Sequence, residues 1–270
     1  MNKQIIKKQA GFTLLELMIG ATLGIFLLGG AINVFLSASQ TSSLTRSIAD
    51  TQERARFLSN YLSEEIERAG WVDPTTAFTI EPGVIIGSGS SEDGANICDA
   101  AETAYLTNRC DQIQVSYTGV TDCLGGLVNA GAIGVVTNTY FVQNGDFMCR
   151  GNTAAAAAVL LSDVESFQLL YGLDDSDASG MPYTPSTAIT DRDGIVDRYI
   201  EAYNWDTNTA TLMAVKYSIL LRSENRNAYD ENVTRNYTLF NEPALAYNDR
   251  RLRILLTVSS LTTNNFNIFE

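Results

Sequence analysis

The chain opens with a block of apolar and small residues. From Phe12 to Gln40 it carries one charged side chain, Glu16. Phe12–Leu36 alone, at about 1.5 Å per residue, is long enough to span a ~30 Å hydrocarbon core with some tilt. Beyond the block, from Ser43 to Ala69, Leu44, Ile48, Ala55, Leu58, Leu62, Ile66 and Ala69 recur at three- to four-residue intervals with one longer gap. That spacing is the stripe of an amphipathic helix. Glu64 and Arg68 add an i,i+4 pair in the favourable order. Gly70 then stands where a helix stops, and Pro74 prevents its resumption. The pattern predicts one helix from Phe12 to Ala69, on the order of 85 Å long. Its first half is expected in lipid, and its second half on a sheet.

After Trp71 the pattern changes. Trp71–Asn108 is rich in Gly, Ser and acidic residues and reads as a long loop around the first two cysteines. Runs at Gln112–Tyr117, Thr137–Val142, Val164–Tyr171, Thr211–Leu221, Val233–Phe240 and Leu252–Ser259 predict strands. Thr153–Leu161, with its consecutive alanines, fits a short helix or a connector. A long N-terminal helix followed by mostly antiparallel strands is an α+β layout, with the helix covering one face of the sheet. The expected organisation is a leader at 1–11, a transmembrane helix at 12–36, its amphipathic continuation at 37–70 and a β-rich globular domain at 71–270.

Charge and composition narrow the function. The net charge is −13, and three of the 18 basic residues, Lys3, Lys7 and Lys8, lie in the leader. An acidic body cannot supply the cations that phosphate backbones require, so no direct nucleic-acid binding is expected. The chain has no histidine. That removes Ser–His and Cys–His nucleophile pairs and every His-ligated metal site, and the chain reads as a non-enzyme. The basic leader stays cytoplasmic under the positive-inside rule, which sends everything after the helix across the membrane. In an exported domain, Cys98, Cys110, Cys123 and Cys149 read as two disulfides. Of three pairings, Cys98–Cys110 with Cys123–Cys149 is favoured because it closes two short loops, each bridge contributing about 2–4 kcal/mol.

Acidic residues at alternate positions suggest one metal. Asp191-x-Asp193-Gly194-x-x-Asp197, preceded by Asp174-Asp175-x-Asp177, offers several oxygens from one turn, as calcium needs. The EF-hand register fails, however: with Gly194 at the sixth loop position, Ile189 and Ile200 occupy the first and twelfth. Asp191, Asp193 and Asp197 stand as candidate calcium ligands, and acidic turns before strands account for the same residues. No other cofactor is expected. Tyr203, Trp205, Tyr217, Tyr237 and Tyr247 read as core or sheet surface.

A lone carboxylate inside an apolar helix is costly unless it is paired, which marks Glu16 as functional. The run Gly11-Phe12-Thr13-Leu14-Leu15-Glu16, behind a basic leader, resembles the N-terminus of type IV pilins and the related pseudopilins. The resemblance implies that a prepilin peptidase cuts after Gly11 and methylates Phe12, and that Glu16 serves filament assembly. Further segments resemble the PilW class of large minor pilins. These are Ala55-Arg56-Phe57 with Ala69-Gly70-Trp71, Cys123-Leu124-Gly125 with Tyr140-Phe141-Val142 and Cys149, Val164-Glu165-Ser166-Phe167-Gln168 with Tyr171-Gly172-Leu173-Asp174, and Asp191 through Tyr199. The chain has no proline before Pro74, whereas major pilins usually carry one near the middle of the membrane helix.

The resemblance implies a pilin fold and a minor subunit. Such a subunit would join other minor pilins and the major pilin, through an inner-membrane assembly platform, in a priming or tip complex. It would sit in the inner membrane with its N-terminus cytoplasmic, and later in the pilus, with roles in motility and adhesion. A type II secretion pseudopilin and a pilus-tip adhesin are the alternatives.

Overall fold

A computed structural model of the chain describes residues 13–77, 84–85, 96–97, 109–153, 156–174, 195–201, 211–224, 233–240 and 244–262. The chain divides into two compact units, Met1–Arg46 and Ser47–Glu270. Helix α1 spans Leu14–Glu67. Thr13 caps its start, its hydroxyl accepting the Glu16 N–H at 3.3 Å.

In the first unit the large apolar side chains from Leu14 to Leu36 are exposed, Phe26 by 86%. Within its most apolar 18 residues no side chain is buried. Its threonine hydroxyls bond back into the helix: Thr22 donates to the Ile19 and Met18 carbonyls, and Thr41 to the Ser37 carbonyl. A helix that meets its own polar needs and displays apolar side chains outward is built for an apolar surrounding.

In the second unit α1 turns a stripe to the core. Ala55, Leu58, Leu62, Ile66 and Ala69 are buried as the spacing predicts, and Thr51 fills the longer gap with its hydroxyl bonded to the Ser47 carbonyl at 2.7 Å. The helix ends at Glu67, two residues short of expectation. The Gly70 N–H then joins the Ser116 carbonyl at 2.9 Å and the Thr118 N–H joins that of Trp71 at 2.9 Å. The residues after the helix therefore pair along the strand that contains Ser116.

The strands are β1 (Val84–Ile85), β2 (Asn96–Ile97), β3 (Arg109–Cys110), β4 (Gln112–Gly119), β5 (Gly134–Gln143), β6 (Asp146–Gly151), β7 (Ala158–Ser162), β8 (Val164–Asp174), β9 (Arg198–Ile200), β10 (Thr211–Arg222), β11 (Arg235–Tyr237), β12 (Leu245–Tyr247) and β13 (Arg253–Leu261). They form two main antiparallel sheets, ordered β1-β4-β5-β6-β7 and β13-β10-β8-β9, and two small ribbons, β2-β3 and β11-β12. One hydrophobic core is shared by α1 and both main sheets, with Tyr140, Phe147, Phe167, Tyr171 and Tyr217 among its largest buried side chains.

Four sequence expectations change. The helix meets two sheets, not one. The alanine-rich stretch ends in a strand: Ala158–Ser162 pairs with β6, so the Val159-Leu160-Leu161 run and a partner edge outweigh alanine's helix propensity. Of Val233–Phe240 only Arg235–Tyr237 is strand, paired with β12 in a separate ribbon. The expected loop after Trp71 contains the two-residue strands β1 and β2.

Candidate functional site

The functional element legible in sequence is the start of α1. Thr13-Leu14-Leu15-Glu16 places the carboxylate at the third helical position, where the Thr13 cap holds its N–H and the helix dipole favours a negative charge. Glu16 is exposed on the helix surface. Gly11 and Phe12 lie outside the described residues.

A second carboxylate, Glu65, organises the body. It lies on the buried stripe of α1, 5% exposed. Its Oε2 accepts the Tyr140 hydroxyl at 2.7 Å and the Asn138 amide at 3.0 Å, and its Oε1 accepts Arg68 at 3.2 Å. The Tyr117 hydroxyl reaches both oxygens at 3.4–3.5 Å. Burial pushes the Tyr117 phenol up to about 12, with the Glu65 charge adding to it, and burial pushes Tyr140 up as well. Both hydroxyls therefore stay protonated as donors at neutral pH. Asn138 Oδ1 in turn accepts the Cys123 N–H at 3.0 Å. One chain of contacts thus runs from the helix, through β5, to the disulfide loop.

That loop is closed twice. Cys123 and Cys149 are bonded across 26 residues, with Cα atoms 6.5 Å apart. Beside them the Asp122 carboxylate accepts the N–H groups of Leu124 at 3.0 Å, Gly126 at 2.9 Å and Thr153 at 3.1 Å, and the Thr153 hydroxyl. Burial opposes its ionisation, but the donors from Thr153, Gly126 and Leu124 hold it below the usual carboxylate value. Gly151 makes this possible, since a Cβ there would lie 2.2 Å from Asp122 Oδ2. Cys110 is also disulfide-bonded, and Cys98 lies outside the described residues.

Ion pairs tie α1 to the second sheet. Asp163, between β7 and β8, receives Arg54 of the helix at 3.2 Å and Arg222 of β10 at 3.0 Å. Arg253 grips Glu165 at 2.5 and 2.9 Å and Asp249 at 2.7 and 2.9 Å. Burial acts against all three charges. It raises Glu165 above the usual range despite Arg253, while Arg253 holds Asp249 below it.

Sequence reading missed Glu65, Asp122 and the Arg253 cluster. Glu65 was detectable as a carboxylate on the apolar stripe, beside Ile66 and three residues from Leu62. The partners of Asp122 and Arg253 are distant in sequence and leave no local trace. Of the candidate calcium ligands, Asp191 and Asp193 lie outside the described residues, and the Asp197 N–H bonds the Leu173 carbonyl at 2.9 Å. Among the described residues no group of three or more His, Cys, Asp or Glu side chains could hold a metal.

An apolar N-terminal helix with one carboxylate, continued into an amphipathic half packed on antiparallel sheets, defines the class. Residues 6–32 match the prokaryotic N-terminal methylation motif. Residues 135–264 match the family described as type IV pilus-assembly protein W. Together the two matches support a type IV pilin of the PilW-like minor kind. A type IV-like pilin from Thermus thermophilus is a similar solved structure, with 15% identity over 81% of this chain and 96% of that one and a TM-score of 0.40. No curated protein matches the chain. The methylation motif implies processing by a prepilin peptidase and assembly with other pilins, and the apolar helix fits a membrane-anchored pilus subunit.

Proposed function

We propose that the chain is a non-enzymatic minor subunit that helps to prime a type IV pilus and remains at or near its tip. A prepilin peptidase cuts after Gly11 and methylates Phe12. Before assembly the protein crosses the inner membrane once, with its N-terminus cytoplasmic and its body periplasmic. The assembly platform then brings it together with other minor pilins and the major pilin. Motility and adhesion follow from the pilus.

The observation that carries this reading is Glu16, the one ionisable side chain between Phe12 and Gln40. Cleavage frees the Phe12 α-amine, a cation that the membrane also disfavours. Glu16 of one subunit and the amine of its neighbour neutralise each other and set the axial register. Removing one member of a buried pair costs about 3–5 kcal/mol. The disulfide loop and the Glu65 latch support the reading differently, by fixing the body that partner subunits meet.

The test is a deletion strain complemented with wild type, Glu16→Ala or a Gly11 variant, scored for sheared surface pili and for secreted enzyme activity. Wild type is expected to restore pili, Glu16→Ala to be cleaved but not incorporated, and the Gly11 variant to keep its leader. Normal pili with failed secretion in the deletion strain would transfer the protein to a secretion machine. Normal incorporation of Glu16→Ala would refute the pairing.

A further inference from the structure

The four outer edges of the two main sheets are unlike one another. β1 has two residues, β9 three and β7 five, and the β6–β7 pairing shifts register between Phe147 and Met148. Short or irregular edges keep foreign strands from pairing. β13 has neither protection. Its nine residues pair with β10 in unbroken antiparallel register, from Ala214↔Leu261 to Arg222↔Arg253. After Arg253 it contains no charge, proline or glycine, in a chain whose net charge is −13. Leu255, Thr257, Ser259 and Leu261 alternate along its exposed face, Leu255 by 41% and Leu261 by 56%. Among the described residues no strand pairs with its outer edge.

We propose that the outer edge of β13 receives an extended strand from a neighbouring pilin subunit in the assembled pilus. The inference rests on the assembly role proposed above and names its second contact, after the Glu16 pair. The chemistry of the edge selects the occupant. A nine-residue strand points backbone donors and acceptors outward at a repeat of about 6.8 Å, which another extended backbone can match along its whole length. Because Ile254–Leu261 is uncharged, an apolar or hydroxyl-rich strand matches it along most of its length, with Lys216 of β10 a neighbouring cation opposite Ser259. A continuous edge also fixes the partner's direction, and the alternation of side chains along it sets the register, which a helix packed against the sheet would not do.

The test introduces a photo-crosslinking phenylalanine analogue, one position at a time, at Leu255, Thr257 and Ser259 of the full chain in piliated cells. Crosslinked peptides from sheared pili are then identified by mass spectrometry. Strand pairing is expected to give a ladder: adducts on one segment of another pilin, stepping by two residues for each step of two along β13. Thr257→Lys, which places a charge on the edge, is expected to lower the chain's abundance in sheared pili by about tenfold or more. Its melting temperature is expected to stay within about 3 °C of wild type. Absence of adducts, adducts without a two-residue progression, or wild-type incorporation of a folded Thr257→Lys chain would each overturn the proposal. The Glu16→Ala result separates the two readings. If Glu16→Ala is excluded from pili while Thr257→Lys enters normally, only the β13 contact fails. If Glu16→Ala itself enters normally, the assembly reading beneath it fails.

Discussion

Glu16 and Glu65 solve the same physical problem in different settings. Each is a carboxylate on a helix face that is otherwise apolar. Glu65 is satisfied within the chain by Tyr140, Asn138 and Arg68. Glu16 has a helix cap beside it and an exposed apolar surface around it, and in the proposed assembly its partner comes from a neighbouring subunit. The difference predicts opposite phenotypes. Glu65→Ala leaves the buried Tyr140 hydroxyl and the Asn138 amide without their acceptor, and the helix-to-sheet latch is lost. The expected cost is about 3 kcal/mol or more, read as a melting temperature lower by roughly 6–12 °C for a body of this size. Glu65→Gln keeps an acceptor oxygen and is expected to recover about half of that loss. Circular-dichroism melts of the detergent-solubilised chain check both. Glu16→Ala, in contrast, is expected to melt like wild type and to fail only in incorporation.

At the scale of elements, the segment from Asp122 to Thr153, which carries β5 and β6 of the first sheet, is closed by two devices. The Cys123–Cys149 bridge closes a separation of 26 residues, for which chain-entropy reasoning gives about 3–4 kcal/mol. The Asp122 carboxylate joins both ends of the same segment by hydrogen bonds. Because both devices act on one loop, their removal should not be additive. Cys123→Ser with Cys149→Ser is expected to lower stability by the bridge's share, and Asp122→Ala by about 1–3 kcal/mol. The triple variant is expected to fall short of the sum, because once the loop is open the remaining device has less to hold. Denaturant titration of the four proteins measures this coupling, and strict additivity would show that the two devices act on separate elements. The β5–β6 hairpin inside this segment turns at Asn144-Gly145, with φ of 55° and 80°. That dipeptide is a strong hairpin signal and marks the start of β6, whose positions alternate between buried and more exposed.

For the whole molecule, the second unit is held by charge as well as by its core, and acid should reveal the charges unequally. Asp122 and Asp249 have folded values below their unfolded ones, so the stability they confer is present above about pH 4 and is lost as pH falls through the folded values. Glu165 has a folded value above its unfolded one, so its contribution has the opposite sign: present at low pH and lost as pH rises through the folded value. Asp73, held low by its hydrogen bonds from Thr75, acts in the same direction as Asp122 and Asp249, and the expected outcome is a net loss of stability between about pH 5 and pH 3. Melting temperatures across this range test it. Asp122→Asn should flatten the decline, and Glu165→Gln should steepen it.

Sequence alone determined the parts of this protein that depend on local order. A hydrocarbon-length block with one carboxylate, a three-to-four-residue stripe and a Gly-Phe-Thr-Leu-Leu-Glu run each reside in contiguous residues. The membrane-competent helix, its amphipathic continuation and the pilin class followed from them. Five of the six predicted strands lie within β4, β5, β8, β10 and β13 to within a few residues, because alternation is also local. Tertiary structure decided what depends on distant partners. A strand's pattern shows that one face is buried but not against which neighbour, so the division into two sheets and the end position of β13 were invisible. Nor does the alanine run reveal that β6 offers an edge to pair with. The ordinary aspartate at 122 becomes a clamp only because Gly151 and Thr153 come to it across the hairpin. Glu165 becomes a buried anion only because Arg253, 88 residues later, is folded onto it.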